Sequence, residues 1–301
     1  MTESESGRSA RRTMIAVIVA LTAASLAYRM LAMTGYEHTA LVFIGIPALL
    51  ALMLVQVQPK TARGTIHKTI ALGLCLSGVL FGEALVCILM AAPLFFAVGG
   101  LLSLGAKDGL EPPEGDSTNL RKWGALLLVP MSLEGVIPHY ELPREHSVSV
   151  VRQVAGTPEQ VRATLAAPMA FDASLPLFFR LGYPTPGHVS GSGLTVGDAR
   201  NIQFRHGHHP GTLRLAVSST EPHRVVFTAV SDDSYITHWL RWRRAEVSWR
   251  QVAPGRTEIT WTLHYWRRLD PSWYFGPLER YGVGLAADYL IETLATPRMS
   301  R

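Results

Sequence analysis

The sequence predicts a two-part fold: a membrane α-helical bundle followed by an α+β domain built on an antiparallel sheet. Three observations carry it. Residues 14–105 hold four apolar runs with very few charges, residues 146–268 alternate apolar and polar side chains between turn clusters, and residues 271–294 carry an apolar stripe at helical spacing. Of the 301 residues, 48% are hydrophobic and 17% charged, and the mean hydropathy is +0.18. A soluble domain has about a quarter charged residues, so intrinsic disorder and a wholly soluble enzyme are disfavoured. The only two cysteines, Cys75 and Cys87, both lie inside apolar runs, which leaves a structural disulfide or a cysteine zinc site without support. The net charge of +5 comes from 24 Arg and 4 Lys against 23 acids, and suits an anionic membrane surface as readily as nucleic acid.

Residues 1–13 form a polar tail with Arg8, Arg11 and Arg12. Residues 14–33 then supply the roughly 20 apolar residues that a helix needs to cross a bilayer. Further runs at 39–57, 67–82 and 84–105 make a retained first span a better reading than a cleaved signal peptide, so 14–105 reads as a four-helix transmembrane region. Glu83 falls at the break between the last two runs, where a hydrated carboxylate is a simpler reading than a proton or ion site. Lys and Arg gather before the first span, after the second (Lys60, Arg63, Lys68) and after the fourth (Lys107, Arg121, Lys122), and are missing from the other two turns. The positive-inside rule therefore places both termini in the cytoplasm of an integral protein of the inner or plasma membrane.

Residues 106–143 read as a linker. It opens with a Pro-, Gly- and charge-rich loop over 106–121 and continues into an apolar segment, 123–138, interrupted by Pro130 and Glu134. That segment is short for a span. It lies in the interface with Trp123 at headgroup depth, or it crosses as a fifth span and puts the C-terminal domain outside.

The last part, 144–301, begins with a strand from His146, in which Val148 and Val150 share a face. Thr157 as cap, Pro158 at the first helical position and Glu159 in the first turn start a helix that ends near Ala166. Residues 171–181 suggest a second short helix. Strands follow at 198–206, 211–218, 224–230, 238–252 and 256–268, and Asp270-Pro271 opens a helix to about Leu294.

With its Thr157-Pro158-Glu159-Gln160-Val161 helix start after strand one and its Asp270 to Leu294 helix, this half resembles the START-like, or polyketide cyclase/dehydrase-like (SRPBCC), helix-grip superfamily over roughly 145–296. The resemblance implies an antiparallel helix-grip sheet wrapped around a long C-terminal helix. It also implies a cavity between them for a lipid, polyketide, hormone or other apolar ligand. Strand parity puts Trp249, Trp261 and Tyr265 on apolar faces, and Leu285 and Tyr289 can lie on the facing helical stripe. His206 shares parity with Ile202 and Phe204, and His238 with Ile236, Leu240 and Trp242, so these seven residues are the candidate ligand contacts.

Other motifs carry less. Arg205-His206-Gly207-His208-His209 has no acidic or cysteine ligand nearby and reads as a turn, so no metal ligand is assigned. Gly191 to Gly197 lacks the G-x-G-x-x-G spacing of a nucleotide loop, no serine, zinc or dithiol motif occurs, and no cofactor is expected. Trp239-Leu240-Arg241-Trp242-Arg243-Arg244 reads as an amphipathic strand edge or a lipid-headgroup contact. Next to membrane spans, nucleic acid is not the expected partner. The expected function is a membrane-anchored protein that binds a hydrophobic ligand or lipid. A membrane-tethered cyclase or hydratase-like enzyme and a ligand-free docking scaffold are the alternatives.

Overall fold

The structure is a computed structural model that describes residues 62–81, 85–103, 134, 142–171, 173–180, 183–205 and 210–297, with Ile15 and Val19 as isolated positions. The expected spans at 14–33 and 39–57, nearly all of the 106–143 linker and the 206–209 histidine cluster lie outside the described residues. The chain divides into two compact units, Met1–Leu133 and Glu134–Arg301.

In the first unit, helices α1 (Ala62–Phe81) and α2 (Leu85–Ser103) pack on each other. A Cβ at Gly99 would collide with Ile70 Cδ1, so glycine sets how closely they approach, and the His67 and Phe96 rings stack at 5.8 Å. α1 carries Arg63 and Lys68 in its first two turns. Among the described residues no helix is long and apolar enough to cross a membrane.

In the second unit, β1 (Glu145–Ala155), β2 (Thr185–Ser190), β3 (Ala199–Arg205), β4 (Gly211–Glu221), β5 (Arg224–Asp232), β6 (Leu240–Ala253) and β7 (Arg256–Arg267) form one sheet in the order β1-β7-β6-β5-β4-β3-β2, and every pairing is antiparallel. Between β1 and β2 lie helix α3 (Pro158–Ala166) and the single turn α4 (Leu177–Arg180). The capping box at α3 is complete: Gln160 N–H donates to Thr157 Oγ1 at 3.3 Å, and Thr157 N–H donates to Gln160 Oε1 at 2.9 Å. The β6–β7 hairpin turns on Pro254-Gly255, where Gly255 has φ +69°, a conformation an L side chain rarely adopts.

A bulge between Trp242 and Arg244 reconciles two conflicting parities in β6. Leu240 and Trp242 lie inward before it, and Ala245, Val247 and Trp249 lie inward after it. Within Trp239 to Arg244, Leu240 to Trp242 pair with β7, and the pairing with β5 begins only at Arg244; Trp239 and Leu240 are buried, while Arg241, Arg243 and Arg244 reach solvent. β2 contains Pro186 and Gly187, residues that weaken a strand pattern, and it occupies the edge position that tolerates them.

The long helix α5 (Ser272–Leu290) continues into a wider π turn, Ile291–Ala295. α5 packs on β1 and β7, and the π turn packs on α3. This is the helix-grip arrangement. The inward stripe of the helix differs from the expected one: Gly276, Glu279, Val283 and Ala287 are buried on α5, followed by Ile291 and Leu294, while Leu278, Leu285 and Leu290 are only half-buried. The core joins this stripe to Val161 and Leu165 of α3 and to the inner faces of β4 to β7.

Candidate functional site

The inner sheet face opposite α5 is built in rows by the strand register. One row runs His146, Tyr265, Trp242 across β1, β7 and β6; the next row of this face runs Val148, Leu263, Ala245, and the third Val150, Trp261, Val247. In the first row the His146 and Trp242 rings lie 5.8 Å and 6.5 Å from the Tyr265 ring. Trp249 and Trp261 are each 2% exposed and Tyr265 is 0% exposed.

This apolar interior contains polar atoms that find no hydrogen-bond partner among the described residues: Nε1 of Trp249 and Trp261, the Tyr265 hydroxyl, both carboxylate oxygens of Glu279, and Thr293 Oγ1. Buried polar groups are normally paired, and an unpaired one costs about 1–3 kcal/mol. Glu279 is the most costly of these. Burial pushes its carboxyl up to about 7, against the opposing charge of Arg267, and the Leu269 N–H leans on it without completing a hydrogen bond in distance and angle. Burial likewise pushes the Tyr265 hydroxyl up to about 12, with the Glu279 charge adding to the effect.

Arg267 closes this end of the interior and is fully buried. Its Nη1 donates to the Leu269 carbonyl and to Asp270, and its Nη2 donates to Glu134 Oε1 at 3.0 Å. Glu134 Oε2 accepts from the Ser272 N–H at 2.9 Å, which satisfies a free donor at the start of α5, and Arg144 donates to Asp270 at 3.0 Å. Arg200, 1% exposed, has a structural role: it donates to the carbonyls of Leu165, Ala167 and Gly193 and lies over the Phe227 ring, and burial lowers its pKa to about 10. A groove beside the β4–β5 turn is lined by Glu221, Arg224 and the ion pair Arg250–Glu258, and Arg224 also pairs with Glu246.

Of the seven candidate residues, Trp249, Trp261 and Tyr265 lie together on the inner face. Tyr289 is buried, but its hydroxyl donates to the Ala173 carbonyl at 3.1 Å and its ring stacks on Phe171. Leu285 lies beside the inward stripe of α5, and His206 lies outside the described residues. His238 needs a correction: residues Tyr235–His238 form a 3-10 turn, so strand parity does not govern its direction. Its exposed ring stacks on Tyr235 at 4.3 Å. Sequence reasoning missed Glu279, His146, Arg267 and Glu134. For Glu279 the available signal was its position four residues before Val283 and eight before Ala287, a charged residue at the head of an apolar stripe.

No family model matches the chain, and no curated protein matches it. Among solved structures it is similar to a START superfamily protein from Mycobacterium smegmatis, at 15% identity and a TM-score of 0.36, over 50% of this chain and 94% of that one. It is also similar to norcoclaurine synthase from Thalictrum flavum, at 14% identity and a TM-score of 0.34, over 49% and 85%. At this identity and score, what those proteins bind or catalyse remains a property of those proteins alone.

Proposed function

We propose that this chain is a membrane-anchored protein whose C-terminal unit binds an apolar ligand or lipid between the inner sheet face and α5. The observation that carries the reading is the set of unpaired polar atoms of Trp261, Tyr265 and Glu279 inside an otherwise apolar face. A dry core would leave each of them at a penalty, whereas a bound molecule with a few polar atoms removes it. Support for the anchor comes from the sequence: four apolar runs and the one-sided placement of Lys and Arg around them. A ligand drawn from the bilayer then needs no free diffusion of its binding protein. The test is mass spectrometry of organic extracts from the purified full chain, with Trp261→Phe in parallel. The reading expects an apolar compound in stoichiometric amount that is reduced or exchanged in the variant; a chain that brings down only bulk lipid, identically in both, contradicts it.

A second reading, a membrane-tethered enzyme of the cyclase or hydratase kind, is favoured by one feature. Glu279, its carboxyl pushed up to about 7 by burial, is buried near enough for its charge to act on the Tyr265 hydroxyl, which suits proton transfer near neutral pH. Turnover of the extracted compound, abolished by Glu279→Gln with binding retained, would select this reading over simple carriage.

A further inference from the structure

Resting on the membrane anchor of the reading above, we propose that the end of the C-terminal unit at which α5 begins docks on a bilayer surface carrying anionic phospholipid headgroups. Exposed arginines of β6 and the exposed tryptophans beside them make the contact. The antiparallel register builds this end: Glu145 at the start of β1 pairs with Trp266 near the end of β7, which pairs with Arg241 near the start of β6. Trp273 follows Ser272, whose N–H donates to Glu134, and Glu134 accepts from Arg267, so the head of α5 lies at the same end. Trp266 is 41% exposed, Trp273 52% and Leu142, just before β1, 55%. Among the described residues, Trp266 and Trp273 are the exposed tryptophans.

Strict strand alternation sends only every second residue of β6 to solvent. The bulge between Trp242 and Arg244 instead exposes Arg243 and Arg244 in succession, just beyond the exposed Arg241. None of the three pairs with a carboxylate among the described residues, because the carboxylate of β6, Glu246, is taken by Arg224. Glu145, across Trp266 from Arg241, is the carboxylate of that row. Three like charges held side by side repel one another, and a surface of headgroup phosphates relieves that repulsion. Tryptophan suits the same depth, with its ring against the acyl boundary and its N–H among the headgroups. The attachment of the chain favours a bilayer over a nucleic acid. The unit begins at Glu134, which Arg267 holds at this end, and residues 123–133 before it carry no charge. An apolar stretch leading into the end that bears the arginines and tryptophans is continuous with a lipid surface and gives nothing to a polyanion in water.

The test places the full chain, labelled with 5-fluorotryptophan, in nanodiscs that carry a nitroxide on part of the lipid headgroups. One set is phosphatidylcholine alone and the other a mixture with phosphatidylglycerol. Trp266 and Trp273 are expected to broaden in the mixed discs, at least about threefold more than in phosphatidylcholine alone, while Trp249 and Trp261 stay sharp. The triple variant Arg241→Ser, Arg243→Ser, Arg244→Ser is expected to fall to the phosphatidylcholine level with Trp261 unshifted, which reports an intact fold. Raised salt screens an exposed contact, so it is expected to reproduce the loss in the wild-type chain without any substitution. Trp266 and Trp273 as sharp as Trp261 in mixed discs that hold the chain would overturn the docking and leave the anchor standing. Broadening equal in both lipids and indifferent to salt would overturn the anionic recognition. Shifts of Trp266 and Trp273 caused by a single-stranded oligonucleotide, with no broadening by lipid, would give the arginines to nucleic acid and overturn the docking. A chain that enters neither kind of disc overturns the anchor and this inference with it.

Discussion

The guanidinium of Arg267 donates to Glu134 at 3.0 Å although the two residues are 133 positions apart, and both are buried. Glu134 therefore belongs to the C-terminal unit, where it also satisfies the first turn of α5 through Ser272. Removing Glu134 leaves the Arg267 Nη2 without its partner in a buried site, and Arg267 would keep Asp270 as its remaining ion pair and the Leu269 carbonyl as an acceptor. Glu134→Ala is expected to destabilise the unit by about 3 kcal/mol in urea unfolding followed by tryptophan fluorescence. A loss below about 1 kcal/mol, the range of an exposed pair, would contradict this role.

Glu279 gives the protein a pH dependence of defined sign. In the unfolded chain its carboxyl returns to 4.5, so between 4.5 and about 7 the folded state holds a proton that the unfolded state has released. Stability is lost as pH rises through that window, and the full cost of about 3 kcal/mol is present above it. Glu279→Gln is expected to gain up to that amount over wild type near pH 8 and to lose the advantage below pH 4.5. A gain independent of pH would contradict a titrating carboxyl. Arg267, Asp270, Arg144 and Tyr265 are the charged and titratable groups that interact with this carboxyl, and they are unchanged in the comparison.

Trp261 separates packing from recognition. It is 2% exposed in the middle of the inner face, so Trp261→Ala is expected to cost roughly 3–5 kcal/mol. Trp261→Phe keeps most of the volume and removes the unpaired N–H together with two ring carbons, so it is expected to fold with a smaller loss than Trp261→Ala. Thermal unfolding of the two variants side by side distinguishes these outcomes.

The capping box is a local feature with a local cost. Thr157→Ala removes the acceptor for the Gln160 N–H and is expected to destabilise the C-terminal unit by about 1 kcal/mol. Gln160→Ala in the same background is expected to add less than it costs alone, because the two bonds form one motif. Additive losses would show that the two halves act independently.

Topology is open to a chemical test. The Lys and Arg placement expects both ends of the chain inside, so a cysteine placed at Ser300 should resist a membrane-impermeant thiol reagent in intact cells. Ready labelling would put the C-terminal domain outside and make 123–138 a spanning segment.

Much of the C-terminal fold was legible because its signals are local. Thr157-Pro158-Glu159-Gln160 specifies a helix start by itself, and the alternation of Ile259, Trp261, Leu263 and Tyr265 fixes which face of β7 is inward. β2 was hidden because Pro186 and Gly187 argue against a strand everywhere except at a sheet edge, which sequence does not reveal. His238 was misread because Leu240 and Trp242 share its parity, and only the 3-10 turn ending at His238 breaks the pattern. The site was half legible: aromatics announce an apolar face, whereas Glu279 looks like a surface residue until its neighbours four and eight positions on are seen to be buried. Glu134 was unreadable because its partner lies at the far end of the chain.

Fluorine NMR of the full chain labelled with 5-fluorotryptophan tests most directly whether an apolar molecule binds between the inner sheet face and α5. The chain has seven tryptophans, and single Trp→Phe substitutions assign the resonances. Adding 2-naphthol is expected to shift Trp261 and Trp249 while leaving the exposed Trp273 and Trp266 in place. Shifts confined to Trp273 and Trp266, with Trp261 and Trp249 unmoved, would contradict a ligand site between the sheet and the C-terminal helix.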